Sequence, residues 1–166
     1  MGQVLERMPD LFLSVSCTTR RPREGEIEGT SYRFLSEGEF SDMVDRGAFL
    51  EWAEVFGNRY GTPAEPIERA RSQGRDAVLE IDIQGARAVK AAVGDAIFVF
   101  LAPPSEAELQ RRLLARGTED DNELARRLTA AADEMTNSSW FDHVVVNDDL
   151  DEASAAVAAI LESHRH

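Results

Sequence analysis

The sequence has little cysteine, little lysine and no long apolar run, and each shortage excludes something. Cys17 is the only cysteine among 166 residues, so an intramolecular disulfide is excluded and a reducing, cytoplasmic location is expected. Lys90 is the only lysine, which leaves one candidate for any chemistry that needs this side chain. No apolar run approaches the roughly 18 residues of a spanning helix, so we expect no membrane association.

Positive charge is also scarce. The chain has 18 lysines and arginines against 31 aspartates and glutamates, a formal net charge of −13. Nucleic acids and anionic lipids are bound through basic surfaces, so neither is an expected partner. The three histidines lack metal-ligand spacing, and we predict no metal site among them.

Strand and helix patterns alternate along the last two thirds of the chain. Three short apolar runs are typical of buried parallel strands: Ala77 to Ile81, Ala96 to Leu101 and His143 to Asn147. Helical patterns follow them over 83–92, from Ser105 onward and over 150–163, with a further one over 122–138. This alternation predicts an α/β domain with a parallel sheet flanked by helices.

Residues 11–62 follow a different pattern. A strand over 11–16 leads into a segment rich in arginine, proline and glycine. Short antiparallel strands are predicted at 32–35, 49–55 and 59–61, around a helix at 37–46. Ser36 with Glu39, like Ser105 with Glu108, has the spacing of a capping box. Such an insertion carries polar groups outward, and this predicts that it binds a ligand.

Arg20, Arg21 and Arg23 stand beside hydroxyl residues in this insertion. Guanidinium groups suit a phosphate dianion, which accepts paired hydrogen bonds from them. The alternative is a solvated loop in which the arginines pair with nearby acids, Glu24, Glu26 and Glu28. Composition alone leaves both open.

Other polar residues are candidates for the same site. Tyr32 and Tyr60, the only tyrosines, can donate to a phosphate oxygen, or can be strand residues with surface hydroxyls. Glu51 lies in an apolar stretch, and a buried carboxylate needs donors. The N–H groups of a guanine or an internal arginine would serve equally. Asp82 ends a predicted parallel strand, where ligands bind in open α/β sheets.

A further set of arginines flanks the acidic stretch 119–123. These are Arg111, Arg112, Arg116, Arg126 and Arg127. Taken singly, each is explained by a salt-bridged helix face. Taken together, they resemble a mobile lid.

Read together, these segments resemble the guanylate kinase family over about residues 10–162. The matching stretches are SVSCTTRRPREGEIEGTSYRF, FLEWAEVFGNRYGT, VLEIDIQGA, FLAPPS, the RRL and RGT pair, and VVVNDDLD. The resemblance implies a P-loop-kinase-like fold and phosphoryl transfer from ATP to GMP with Mg²⁺. It also implies one domain over 1–166, with a core at 1–16, 76–110 and 140–166, a small antiparallel GMP-binding insertion at 17–75 and a helical lid at 111–139.

The resemblance also implies roles for single residues. Ser16, Glu51 and Thr62 would recognise the guanine. The GMP phosphate would be held by Arg20, Arg23, Tyr32 and Tyr60. Asp82 would lie near the magnesium, Asn147 near the adenine, and the ATP phosphates would be covered by Arg112, Arg116 and Arg127.

One family motif is missing from residues 1–166. The family begins with a strand and a G-x-x-x-x-G-K-[ST] loop that binds the ATP phosphates and magnesium. Here the match starts with the rest of the following helix, at 3–7. We therefore expect these residues alone to be inactive, and favour a shortened reading frame as the cause.

Two other functions stay open. One is a non-catalytic guanylate-kinase-like module that binds GMP or a phosphopeptide. The other is an oligomer that binds no nucleotide and pairs its open sheet with another chain. The sequence leaves the oligomeric state undetermined.

Overall fold

The computed structural model describes residues 1–116, 129 and 138–165. These residues form two compact units, Pro9–Ala96 and Met1–Met8 together with Ile97–His166. In chain order the elements are α1 (Gly2–Arg7), β1 (Phe12–Leu13), β2 (Cys17–Thr18), β3 (Arg33–Phe34), α2 (Glu37–Asp45), β4 (Phe49–Val55), β5 (Asn58–Pro63), α3 (Ala64–Ser72), β6 (Ala77–Val78), α4 (Ile83–Ala92), β7 (Val99–Ala102), α5 (Glu106–Arg116), β8 (His143–Val146) and α6 (Leu150–Ser163).

The Pro9–Ala96 unit contains a short parallel pair and a four-stranded sheet. Strands β1 and β6 run parallel, as predicted for the 77–81 segment, and the larger sheet has the order β3-β2-β5-β4. Strand β5 pairs antiparallel with both β2 and β4. The predicted antiparallel pairing of the 32–35 segment is wrong, because β3 runs parallel to β2 with Arg33 opposite Cys17. The long segment between them returns the chain to the start of β2, which makes a parallel pairing possible.

Aromatic packing holds α2 against this sheet. Phe40 is fully buried, with its ring centroid 4.6 Å from that of Phe49 and 6.2 Å from that of Trp52. The predicted capping box begins the helix. The Glu39 N–H donates to Ser36 Oγ at 3.2 Å, and the Ser36 N–H donates to Glu39 Oε2 at 2.8 Å. The helix therefore starts at a defined residue and places Phe40 inward.

Two helices of this unit compare differently with prediction. Helix α4 has the predicted bounds, and it buries Gly85, Ala86 and Val89 on one face. Helix α3 was missed in the sequence analysis. Its buried residues are only Ile67 and Ala70, so its apolar stripe is too short to produce a clear helical period.

The second unit contains a parallel pair, β7 and β8, and helices α1, α5 and α6. Helix α6 has its predicted bounds, and Asp149 caps it by accepting from the N–H groups of Asp151 and Glu152. Helix α5 has half of its predicted capping box, since Ser105 Oγ accepts from the Glu108 N–H at 3.1 Å. The Glu108 carboxylate accepts from arginines instead.

Strands β7 and β8 leave apolar side chains partly exposed. Leu101, Val144 and Val146 in β7 and β8 are about half exposed. Apart from residues 129 and 138, the helix predicted over 122–138 lies outside the described residues, as does most of the predicted lid. No helix in the described part of the chain is long and apolar enough to cross a membrane.

Candidate functional site

Arg20 is the centre of a polar cluster in the Pro9–Ala96 unit. It follows β2, and its side chain is 12% exposed. Its Nε donates to the Tyr60 hydroxyl at 3.2 Å, and its guanidinium carbon lies 5.5 Å from the centre of the Tyr32 ring. The two tyrosine rings are 6.0 Å apart, edge to face. Residues from the segment after β2, from β5 and from the segment before β3 thus meet at one guanidinium.

Glu26 binds the edge of the same guanidinium that is formed by its two Nη atoms. Its Oε1 and Oε2 accept from Nη2 at 2.7 Å and from Nη1 at 3.0 Å. Oε2 also accepts from the Arg23 N–H at 2.6 Å. The hydrogen bond from Arg20 holds the pKa of the Glu26 carboxyl below its ordinary value. The acid pairing considered as an alternative for this loop is therefore present at Arg20, and it orders the guanidinium instead of leaving it solvated.

Tyr32 is half-buried, and burial is the main reason that its pKa is raised above the ordinary value. The negative charges of neighbouring groups add to the effect, while Arg20 opposes it. A phenol is protonated at neutral pH even at its ordinary pKa, and the raised pKa keeps it so to higher pH. Tyr32 can therefore donate a hydrogen bond to an anion placed beside Arg20.

Glu51 and Thr62 form a buried pair across β4 and β5. Glu51 is 7% exposed and Thr62 is 1% exposed, and the Thr62 hydroxyl donates to Glu51 Oε1 at 2.5 Å. Burial raises the pKa of the Glu51 carboxyl above its ordinary value, and the charge of Asp82 raises it further. The alternative that Glu51 pairs with an internal arginine is wrong, because the donor to this carboxylate is the Thr62 hydroxyl.

Glu51 also lies against the first turn of α4. A Cβ built on Gly85 would be 2.7 Å from Glu51 Oε2, so this oxygen occupies the place of a side chain. Sequence reasoning missed Gly85, because a glycine within a helical pattern carries no signal of what fills the space beside it. It also missed any ordering role for Glu26.

Asp82 begins α4 as its N-cap residue. Its Oδ1 accepts from the Gly85 N–H at 2.8 Å, which satisfies one of the free donors at the helix start. The side chain predicted to face a ligand therefore also has a structural contact. Ser16 is half-buried just before β2, and its carbonyl accepts from the Arg33 N–H at 2.9 Å.

The N-cap contact predicts different effects for two substitutions at Asp82. We expect Asp82→Ala to lower the free energy of unfolding by about 1 kcal/mol, because the cap acceptor is lost. Asp82→Asn keeps an acceptor, so we expect the free energy of unfolding to change by only a few tenths of the loss in Asp82→Ala. Urea unfolding of both variants measures the difference. An equal loss in the two would contradict the capping role.

The remaining predicted residues lie in the other unit or outside the described residues. The Arg112 Nη1 donates to the Asn147 carbonyl at 2.9 Å, and its Nε donates to Glu108 at 2.7 Å. Hydrogen bonds from two arginines lower the pKa of Glu108 to about 2, and the larger effect is that of Arg111, followed by Arg112. Arg116 is the last residue of α5, and Arg127 lies outside the described residues.

Carboxylates, imidazoles and thiolates are the side chains that would ligate a metal ion. Among the described residues, no three such side chains are grouped closely enough to hold one. Mg²⁺ does not require such a group, because it usually takes one or two carboxylates besides water and phosphate oxygens.

Known proteins resemble this chain over nearly its whole length. The family model described as guanylate kinase matches residues 2–164. A guanylate kinase of Mycobacterium sp. (strain MCS) is 48% identical over 161 residues, which cover 96% of this chain and 81% of the relative. One from Thermus thermophilus is 49% identical over 164 residues, which cover 99% of this chain and 74% of the relative.

A solved structure agrees with these relatives. The crystal structure of guanylate kinase from Anaplasma phagocytophilum superposes with a TM-score of 0.84 at 34% identity, covering 99% of this chain and 81% of that one. The similarity in fold therefore extends over nearly all of the 166 residues.

Proposed function

Since the chain belongs to the guanylate kinase family, whose members transfer a phosphoryl group from ATP to GMP, we propose that its Pro9–Ala96 unit is the GMP-binding half of such an enzyme. The observation that carries this proposal is the pair of half-sites in this unit. One is the polar cluster around Arg20, and the other is a buried carboxylate at Glu51. GMP has a dianionic phosphate for the first and a base with two adjacent N–H donors for the second.

The phosphate is proposed to bind on the edge of the Arg20 guanidinium that is formed by Nε and Nη2. Glu26 accepts one hydrogen from each Nη atom, the second Nη1 hydrogen goes to the Arg21 carbonyl, and the Nε hydrogen goes to the Tyr60 hydroxyl. The second Nη2 hydrogen, on the edge that it shares with Nε, remains for the ligand. A phosphate oxygen there can accept from the guanidinium and from two phenols, those of Tyr60 and Tyr32. Arg23 is proposed to supply a further charge, since its backbone is held by the same glutamate.

The guanine is proposed to bind through Glu51. Oε1 already accepts from Thr62, and a carboxylate oxygen has lone pairs enough for more than one donor. The N1 and N2 hydrogens of guanine are adjacent donors that match its two oxygens. Adenine has an acceptor at N1, so its lone pair would oppose the buried charge and leave it unsatisfied. The hydroxyls of Thr62 and Ser16 are proposed to contact other polar atoms of the base.

The family activity also requires ATP and a metal ion, and we propose residues for these roles. Asp82 uses Oδ1 as the cap of α4, so Oδ2 can contact Mg²⁺, which takes one or two carboxylates besides phosphate oxygens. Mg²⁺ supplies charge neutralisation on the phosphates when it is bound. Arg112, Arg116 and Arg127 are proposed to neutralise charge on the transferring phosphoryl group, and Asn147 to contact the adenine.

Arg20→Ala tests the phosphate half-site. We expect GMP affinity to fall about tenfold, as for the loss of one charge-assisted hydrogen bond where Arg23 and two tyrosines remain. Guanosine has no phosphate, so its affinity should be unchanged. Isothermal titration calorimetry with both ligands measures this, and Arg21→Ala, at the exposed neighbouring arginine, is the matched control.

Three outcomes would contradict the proposal. Equal losses for GMP and guanosine would remove Arg20 from the phosphate site. Equal losses of GMP affinity in the Arg20→Ala and Arg21→Ala proteins would show that the effect comes from the change in net charge. Binding of a phosphoserine peptide as tight as that of GMP would instead support the non-catalytic binding module.

A further inference from the structure

We propose that Gly85 is a positioning residue for guanine recognition, because the lack of a side chain there lets Glu51 present its carboxylate from against the first turn of α4. This inference rests on the proposed function, in which Glu51 binds the base. Gly85 itself would touch no substrate. Its effect would pass through the position of Glu51.

The space beside Gly85 is already occupied by the carboxylate. A Cβ at this position would be 2.7 Å from Glu51 Oε2, 3.1 Å from Glu51 Cδ and 3.4 Å from Asp82 Oδ1. The first two distances are shorter than ordinary van der Waals contacts, so a methyl group there would displace the carboxylate or the helix. Any larger side chain would displace them further.

Backbone conformation does not explain the glycine. Gly85 is the third residue of α4 and is not among the positive-φ glycines of the described chain. Glycine within a helix is less favourable than alanine, because it loses more conformational freedom on folding. The feature that requires glycine here is therefore the close approach of Glu51.

Glu51 has little room to move away from an added methyl group. Its Oε1 is bonded to Thr62, which is almost fully buried, and the carboxylate lies between β4 and α4. A methyl group on residue 85 would displace Oε2 while Oε1 remained hydrogen-bonded to Thr62. The plane of the carboxylate would therefore rotate. The two oxygens would then no longer match two adjacent N–H donors in one base plane.

The experiment compares GMP with IMP, which has the N1 hydrogen but lacks the 2-amino group. In the unaltered protein GMP should bind more tightly than IMP. In Gly85→Ala we expect GMP affinity to fall about tenfold and IMP affinity to fall less, so that the GMP-to-IMP affinity ratio moves toward one. A loss of general stability would lower both affinities alike and leave the ratio unchanged.

Gly38→Ala is the matched control. Gly38 lies in the first turn of α2, and a Cβ there would meet nothing within 4 Å. We expect this variant to fold at least as stably as the unaltered protein and to keep both affinities. A changed ratio in Gly38→Ala would show that a helical glycine-to-alanine change alone disturbs binding, and would overturn the inference.

A second variant decides the case in which Gly85→Ala does not fold. Gly85→Ala combined with Glu51→Ala removes the carboxylate that the methyl group would meet, so the double variant should fold, as judged by circular dichroism and urea unfolding. If it does not fold while Glu51→Ala alone does, the glycine serves another purpose and the inference is wrong.

The remaining outcomes separate this inference from the proposed function. If the unaltered protein binds GMP and IMP equally, the assignment of Glu51 to the 2-amino group fails. If the unaltered protein prefers GMP and a folded Gly85→Ala protein keeps that preference, only the positioning role of Gly85 fails.

Discussion

Residues 1–166 alone are expected to form no measurable GDP from GMP and ATP, whereas the same residues preceded by a family-type strand and G-x-x-x-x-G-K-[ST] loop are expected to form it. The reason is that the protein's contribution to phosphoryl transfer is almost entirely positioning and electrostatic stabilisation. The loop's backbone amides and lysine provide both for ATP, and this motif does not occur in residues 1–166. Its addition should therefore raise the rate by many orders of magnitude.

The only lysine of the chain is poorly suited to replace the loop. Lys90 is exposed in the last turn of α4. It lies eight positions after Asp82, or about 12 Å along the helix axis at the usual rise per residue. The sequence around it has no closely spaced glycines that would let backbone amides surround a phosphate.

Chromatographic detection of GDP measures this prediction in both proteins. Replacing the lysine of the added loop by alanine is the control, and it should return the rate to the background. Arg127→Ala in the extended protein should lower kcat far more than it weakens GMP binding, as expected for a group that acts in the transition state. A folded, extended protein that bound both nucleotides and made no GDP would favour a non-catalytic module.

The second large effect is expected at Glu51. Glu51→Gln keeps an acceptor for Thr62 but presents an amide N–H₂ toward a donor of the guanine. GMP affinity should fall by about 1 to 3 kcal/mol, up to about a hundredfold, because buried donors are left unsatisfied. Calorimetric titration with GMP measures the loss, and an unchanged affinity would remove Glu51 from the base site.

The same substitution should stabilise the fold. Because the pKa of Glu51 is raised in the folded state, the ionised carboxylate is less favourable there than in the unfolded chain. Stability therefore falls as pH rises from the ordinary glutamate pKa through the raised one, and the cost is fully present above it. Glu51→Gln removes this cost, so its thermal midpoint at neutral pH should be higher. A lower midpoint would mean that the lost affinity reflects damage to the fold.

The pH dependence of binding provides a further check. Protonation of Glu51 removes the charge that accepts from guanine, so GMP affinity should decrease as pH falls through its raised pKa. Titration of the GMP phosphate affects binding to the Glu51→Gln protein as well, but that protein has no carboxyl group at residue 51 to titrate. The affinity difference between the two proteins should therefore narrow toward acid pH.

Elements with strong local signals were predictable from sequence alone. Helices α4 and α6 and strand β4 have their predicted bounds, because their apolar periodicity and N-terminal caps act within a few residues. Helix α3 was missed because its buried stripe is short. The direction of β3 was wrong, since pairing direction depends on how a long connection returns, which no local pattern records.

The candidate site divides in the same way. The sequence by itself determined the family, the residue types for a phosphate and a base, and the partial burial of Glu51, because these follow from composition and motif order. Only the tertiary structure decided that Thr62 is the donor to Glu51, that Glu26 holds Arg20, and that Gly85 leaves space for the carboxylate. Arg20 and Glu26 are only six positions apart, but several acids nearby were possible partners, and the fold of the loop decides which one reaches the guanidinium. The contacts of Glu51 with Thr62 and with Gly85 join different elements, so their distances depend on how β4, β5 and α4 pack.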